Sequence, residues 1–264
     1  MQQYLFPVKH LGLLWQLTVR EVLQRFRGSW LGLGWSLITP LAMLAVYTFV
    51  FRTVLNARWP GAEDSNSEFA LQIFSGLLVF SLFSEVIGRA PRLVLEQPNL
   101  VKKVIFPLEI LPWMAVLSAY FHASLSLLVL VAAVLFFRGE ITIHILGAVV
   151  VLLAFLPILL GLSWLLAALG VYMRDIGHIV GLVLTPMLFL SPVFYPAEAL
   201  PAVVQDYMML NPLTLIIETL RASVLEGQWP SLQGLFIYFV VGIGFAFVGA
   251  WCFEKTRRGF ADVL

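Results

Sequence analysis

The sequence predicts an all-α membrane protein: six transmembrane helices, an amphipathic interfacial helix before them, and broken, re-entrant helices between spans five and six. Three observations predict it. Of 264 residues, 61% are apolar and 12% charged, about half the charge of a soluble domain. That is too little to cover a water-facing surface. The charges are also bunched, leaving uncharged runs at residues 28–51, 69–84, 110–137, 141–173, 176–197 and 227–253. Five of these exceed the roughly 20 helical residues that cross a bilayer core of about 30 Å, and the second reaches that length by continuing through Gly88. None of the runs alternates apolar with polar residues as a membrane β-strand would, so their backbone groups are satisfied within helices.

A soluble enzyme, a disordered chain and a nucleic-acid binder are excluded by the same composition; the net charge is only +1 and no dense basic patch exists. The lone cysteine, Cys252, allows no intrachain disulfide. The first apolar run begins only after Arg27 and is too long for the core of a cleavable signal peptide, so this segment is expected to stay in the mature protein. No repeat or linker divides the chain, and a single membrane domain over residues 1–264 is expected.

The elements follow in order. Residues 9–28 read as an interfacial helix: Trp15, Val19, Val22 and Phe26 recur on one face, with Gln16, Arg20, Gln24 and Arg27 opposite. It suits a plain anchor or a rim that meets a partner or an anionic lipid. Spans are expected at residues 31–53, 69–90, 108–137, 145–172, 177–195 and 232–253. Between the second and third, residues 91–106 are too polar to insert; Pro91 and Pro98 divide them, and Asn99 can cap a short helix carrying Lys102 and Lys103. The turn at 173–177 holds Arg174 beside Asp175, either a solvated stop signal or a contact for another subunit. Residues 196–228 are broken by Pro196 and Pro201, and Asn211 with Pro212 would start a helix that Gly227 stops. Their apolar stretches are too short to cross, so they form either a re-entrant pair lining a cavity or a hairpin on the surface.

Lys and Arg fix the expected orientation. Most lie before span one, at 89–103, at Arg174 and at 255–258, whereas Arg52, Arg58, Arg138 and Arg221 lie on the other side. The positive-inside rule then puts both termini in the cytoplasm.

Chemistry-bearing motifs are sparse. None of the lysines (Lys9, Lys102, Lys103, Lys255) follows a glycine-rich phosphate loop. The four histidines are scattered, and no metal-ligand spacing is present, so no metal is expected. Glu85 and Glu109 lie near span ends, and Glu85 has Arg89 at i+4 as a partner. This argues against ion coupling and for work supplied by another subunit. Aromatic residues are plentiful: Trp15, Trp30, Trp35 and Trp59 suit interfacial belts. Tyr47 and Phe51 on the first span, and Phe189, Phe194 and Tyr195 on the fifth, suit either anchoring or a path for sugar, since rings with polar tips stack on sugar faces and bond hydroxyls.

Read in order, RFRGSWLGLGWSLITPL at 25–41, NLVKKVIFP at 99–107, YMRDI at 172–176, LSPVFYP at 190–196, NPLTLIIETLR at 211–221 and FADVL at 260–264 resemble the permease subunit of type-2 ATP-binding-cassette exporters. More narrowly, they resemble the O-antigen, capsule and teichoic-acid polysaccharide export family. The resemblance implies a homodimer of six-span permeases, in the bacterial inner membrane, bound to two ATPase subunits that hold ATP and Mg; this chain is expected to carry no cofactor and no catalytic residue. It implies a polyprenyl-diphosphate-linked glycan as cargo, met by Arg25, Arg27, Leu31 and Gly32. Arginine suits a diphosphate through its planar fork. Glu96, Asn99, Lys102, Lys103, Arg174 and Asp175 are implied as ATPase-coupling residues. Pro196, Pro201, Asn211, Pro212, Glu218 and Arg221 are implied in a periplasmic gate, and the five aromatics above in a carbohydrate path. An exporter of a drug or lipid shares the fold, and a membrane enzyme acting on polyprenyl phosphates is the reading from another class; the latter needs a set of acidic or His residues that the motifs lack.

Overall fold

The computed structural model describes residues 7–25, 28–54, 59, 66–103, 106–208 and 210–263. Among them the regular elements are all helical: α1 Leu11–Arg25, α2 Trp35–Thr48, α3 Asn66–Arg89, α4 Pro98–Lys103, α5 Ile110–Arg138, α6 Leu146–Tyr172, α7 Ile176–Leu190, α8 Ala202–Met208, α9 Thr214–Leu225, α10 Leu232–Arg257 and α11 Phe260–Val263. Four helical stretches are long and apolar enough to cross a bilayer: Ser67–Arg92, Ile110–Arg138, Ile143–Tyr172 and Leu232–Arg257.

Where six spans are expected, the other two helices are shorter. α2 has 14 residues and α7 has 15, or about 21–23 Å at roughly 1.5 Å per residue. α2 runs on directly into a π-helical segment, Phe49–Val54. α7 stops at Leu190 rather than at 195 because Pro192 disfavours helical backbone in the residue before it; Ser191 is extended, with φ −100° and ψ 152°.

α6 is the hub, buried along most of its length, with Val151, Phe155, Leu159 and Trp164 fully enclosed. α10 lies against it through small residues. A Cβ added at Gly161 would come within 2.6 Å of the Phe245 backbone, and Gly242, Ala246 and Ala250 repeat at four-residue spacing on the facing surface. Small residues let membrane helices approach backbone to backbone, where dispersion replaces the hydrophobic drive that lipid removes. α3 packs on the other side and is buried without interruption from residue 71 to 80.

α1 runs along α5 and buries Leu14, Thr18 and Val22. Thr18 can be buried because its hydroxyl donates to the Leu14 carbonyl at 2.9 Å. Trp15 and Val19 remain exposed, so of the expected apolar face Val22 turns into protein; Phe26 lies outside the described residues. At the end of the bundle that carries α1 and α11, the near end, Arg257 pairs with buried Glu109 at 2.8 Å, and Phe260 packs against Phe253 and Tyr172. At the far end, Arg138 pairs with Glu68 and donates to the Leu225 carbonyl.

Candidate functional site

A cavity of about 530 Å³ opens between α2, α3 and α5. It has an ionic floor and an aromatic rim. α2 supplies Ser36, Thr39, Met43 and Tyr47, α3 supplies residues from Phe74 down to Glu85, α5 supplies His122 and Ser126, and Arg25 reaches in from the end of α1. From Phe74 to Glu85 the α3 wall is twelve residues, about 16 Å of helix.

At the floor three ionisable groups converge. Arg25 Nη1 donates to Glu85 Oε1, and His122 Nδ1 lies 2.8 Å from the same oxygen and 3.1 Å from Arg25 Nη1. Glu85 does not use Arg89, its neighbour at i+4. Arg89 instead pairs with Glu21 of α1 at 2.5 Å. Docking of α1 beside α5 and α3 offers both acidic groups a partner on another helix, which the intrahelical spacing could not reveal.

Of the five aromatic candidates Tyr47 lines the cavity; behind it, outside the lining, Tyr47 meets Phe194 at 5.1 Å between ring centroids, and Phe189 meets Phe194 at 5.5 Å. Tyr195 donates its hydroxyl to the Phe189 carbonyl at 2.7 Å. Four of the five aromatic candidates therefore gather in one place, while Phe51 lies in the π-helical segment that follows α2. Of the residues expected to meet a diphosphate, Arg25 lines the cavity. Leu31 and Gly32 lie outside its lining in the exposed turn before α2, and Arg27 lies outside the described residues.

Beyond the rim, Arg221 ties the 191–197 loop to the bundle. It is 1% exposed. Its Nη2 donates to the Pro192 carbonyl at 2.9 Å and the Gln72 carbonyl at 3.3 Å; Nη1 pairs with Glu218 at 3.1 Å, and the guanidinium sits 4.5 Å from the Trp59 ring centroid. Burial pulls its pKa below the usual arginine range, and the Glu218 carboxylate works against that shift. Glu218 also accepts from the Ala197 N–H at 3.0 Å. Asn211 accepts from the Leu213 N–H at 2.9 Å and donates to Ser191 Oγ at 2.9 Å, so it turns the chain and holds the end of α7. Helix α9 itself starts at Thr214 with Leu213 as its N-cap, later than the expected start at Asn211 and Pro212. Gly227, at φ +64°, ends α9 with the Gln228 N–H on the Ala222 carbonyl. The Pro212 carbonyl accepts from Tyr238 of α10 at 2.7 Å, whereas Pro196 opens a 3-10 turn and exposed Pro201 precedes α8.

At the near end the two polar segments meet. Pro91 packs its backbone onto α6 at Gly170, where any Cβ would collide with the Pro91 carbonyl, and a Cβ at Gly177 would lie 3.7 Å from Arg92 Nε. Glu96, Asn99, Arg174 and Asp175 are exposed there, and Lys102 and Lys103 close α4, against which α11 rests. Helix α4 starts at Pro98, one residue ahead of the expected cap, in keeping with the fitness of proline for a first helical position.

Glu85 and His122 were not among the site residues that the motifs single out. His122 did carry a signal: it is the one histidine in the run 110–137, which holds no Asp, Glu, Lys or Arg, and such a group inside a span is a functional candidate by default.

The fold defines a helical membrane bundle, with a largely apolar cavity that carries an ionic floor beside the sparsely buried α2. The profile of the ABC-2 type transporter family matches residues 12–225, and the chain belongs to that family. Over 255 residues, 96% of this chain and 95% of the relative, it is 30% identical to the O-antigen export system permease protein RfbA of Myxococcus xanthus. It is 22% identical over 260 residues, 97% of each chain, to a protein of the same name from Klebsiella pneumoniae. The polysialic acid transport protein KpsM of Escherichia coli is 22% identical over 215 residues, 80% of each chain.

Proposed function

We propose that this ABC-2 permease exports an O-antigen-like polysaccharide on a polyprenyl-diphosphate carrier across the bacterial inner membrane. It does so as a six-span homodimer with two ATP-binding-cassette subunits. The observation that carries this reading is the cavity itself, which is lined by the Arg25 guanidinium at its floor and by Tyr47, the ring that adjoins the Phe189 and Phe194 cluster. A phosphate-bearing lipid matches the guanidinium and a sugar the rings. The full-length similarity to proteins named as O-antigen export permeases points the same way.

Size supports the dimer. A cavity of about 530 Å³ is in the range of small-molecule pockets and cannot enclose a polymer, so a second copy would have to supply the opposite wall of the passage. α2 and α7, which bury none and one of their residues, are the elements that such a partner would cover. Both termini would be cytoplasmic. There the coupling residues Glu96, Asn99, Lys102, Lys103, Arg174 and Asp175 would receive the ATPase, which binds ATP and Mg. Glu218, Arg221, Asn211 and the prolines at 196, 201 and 212 would shape the periplasmic mouth, and Leu31, Gly32 and Arg27 the approach of the carrier.

Affinity purification of the full chain should bring down a protein with a phosphate-binding loop. Tyr47→Ala should reduce surface glycan in cells while leaving that complex intact. Wild-type glycan export by Tyr47→Ala together with Phe194→Ala would refute the aromatic path, and absence of any co-purifying ATPase would refute the coupling.

A further inference from the structure

Glu85 sits in an awkward place for a membrane helix. A carboxylate within a span is retained only where it is partnered or functional, and this one faces a cavity. Its Oε1 is the single point on which Arg25 and His122 both converge. Among the described residues Arg25 donates to it through Nη1, which leaves the other nitrogens of the fork available. The Arg25 side chain is 53% exposed, against 23% for Glu85, so an incoming anion can reach the guanidinium.

The surroundings also supply Glu85 with a second partner. Glu21 and Arg25 are i,i+4 neighbours on α1, and Glu85 and Arg89 are i,i+4 neighbours on α3. The structure pairs them across the helices, Arg25 with Glu85 and Arg89 with Glu21. Pairing along each helix is the alternative that the spacing permits. An anion that takes Arg25 therefore releases Glu85 next to Arg89 and leaves Glu21 on α1, at the edge of the bundle.

We propose that Glu85 is an internal stand-in for a phosphoryl oxygen: it holds Arg25 and His122 and is displaced when the diphosphate of a lipid carrier enters the cavity. Glu85 thus sets the affinity for substrate by competing with it. This rests on the diphosphate-carrier reading above and adds a role to a residue that would not contact the substrate favourably.

The test uses the full chain with its ATPase partner in phosphatidylcholine nanodiscs, with farnesyl diphosphate and inorganic diphosphate as probes. Glu85→Gln is expected to tighten farnesyl diphosphate about fivefold, the size of a partly exposed ion pair removed from competition. Arg25→Gln should weaken it by at least as much, and the double variant should match Arg25→Gln alone. Glu85→Asp, which withdraws the charge by one methylene, should also tighten binding and covers the case in which Glu85→Gln does not fold. Tightening of inorganic diphosphate as well supports the stand-in with the phosphate group as sole determinant; tightening confined to farnesyl diphosphate supports it with a lipid headgroup. Unchanged or weaker binding in both Glu85 variants, with Arg25→Gln still impaired, overturns the stand-in and leaves the carrier reading standing. No binding of farnesyl diphosphate by the wild type overturns both.

Discussion

Replacing Arg221 with Met is expected to loosen the far end of the bundle. The guanidinium is 1% exposed and donates to two carbonyls, at Pro192 and Gln72, on the loop after α7 and on α3. A methionine fills similar volume but leaves the Pro192 carbonyl without that donor, at about 1–3 kcal/mol for a group left unsatisfied, whereas the Gln72 carbonyl keeps the Ser75 hydroxyl at 2.7 Å. Loss of the ring contact with Trp59 adds roughly 0.5–2 kcal/mol. Relief of the arginine's own desolvation works in the opposite direction. Glu218 is not stranded, because it keeps the Ala197 N–H and its side chain is 33% exposed. The balance is a loss of about 2 kcal/mol. Unfolding of the purified chain in mixed micelles with rising dodecyl sulfate, followed by tryptophan fluorescence, measures it. Arg221→Lys keeps the charge without the planar fork and should recover less than half. A loss under about 1 kcal/mol for Arg221→Met would mean that the loop is held by Asn211 and by packing against Gly76, and that the arginine is not its anchor.

Gly161→Leu should prevent stable folding, since the Phe245 backbone already occupies the space of its Cβ; yield of monodisperse protein in detergent reads the effect. Gly170→Val drives Pro91 off α6 and should uncouple the partner's ATPase from transport while α10 stays in place, giving ATPase activity without glycan export. Arg174→Ala with Asp175→Ala removes exposed charge only, so thermal stability should hold within about 0.5 kcal/mol while stimulation of the ATPase falls.

The helical class was legible because uncharged runs of bilayer length leave no other structure to choose. So was one punctuation mark: Gly227 follows the end of α9 at a positive φ that glycine adopts freely, whereas α9 starts three residues past Asn211 and Pro192 ends α7 five residues before 195. The site was half legible. Arg25 and Tyr47 stood out by type and position, yet nothing in the spacing says that they line one cavity, because that depends on how α2 rotates against α3. Glu85 misled for a related reason. An i,i+4 pair is visible within one helix, whereas the pairs that form run between α1 and α3, and only the docking of α1 decides them. Likewise α2 and α7 read as full spans because composition reports how many apolar residues follow one another, not where the helix gives way to a π turn or an extended residue before proline.

The two sides of the bundle are built to different standards. α6 and α10 meet backbone to backbone at Gly161 and Gly249, and separating them would forfeit a dense layer of contacts that lipid cannot replace. α2 has no buried residue and α7 has one, Val180. Widening the cavity therefore costs least along α2, which takes part in its wall mainly through Thr39, Met43 and Tyr47, the first two of them exposed. Regions with few buried contacts are the ones that open at low free energy. The ionic floor fits the same division, because Arg25 and Glu85 join α1 to α3 by charges that can exchange partners, and the Arg221 staple at the far end joins its elements by a buried fork that cannot. Work applied at the near end would then move α1 and α2 against a fixed pair of helices, with the site at the boundary between them.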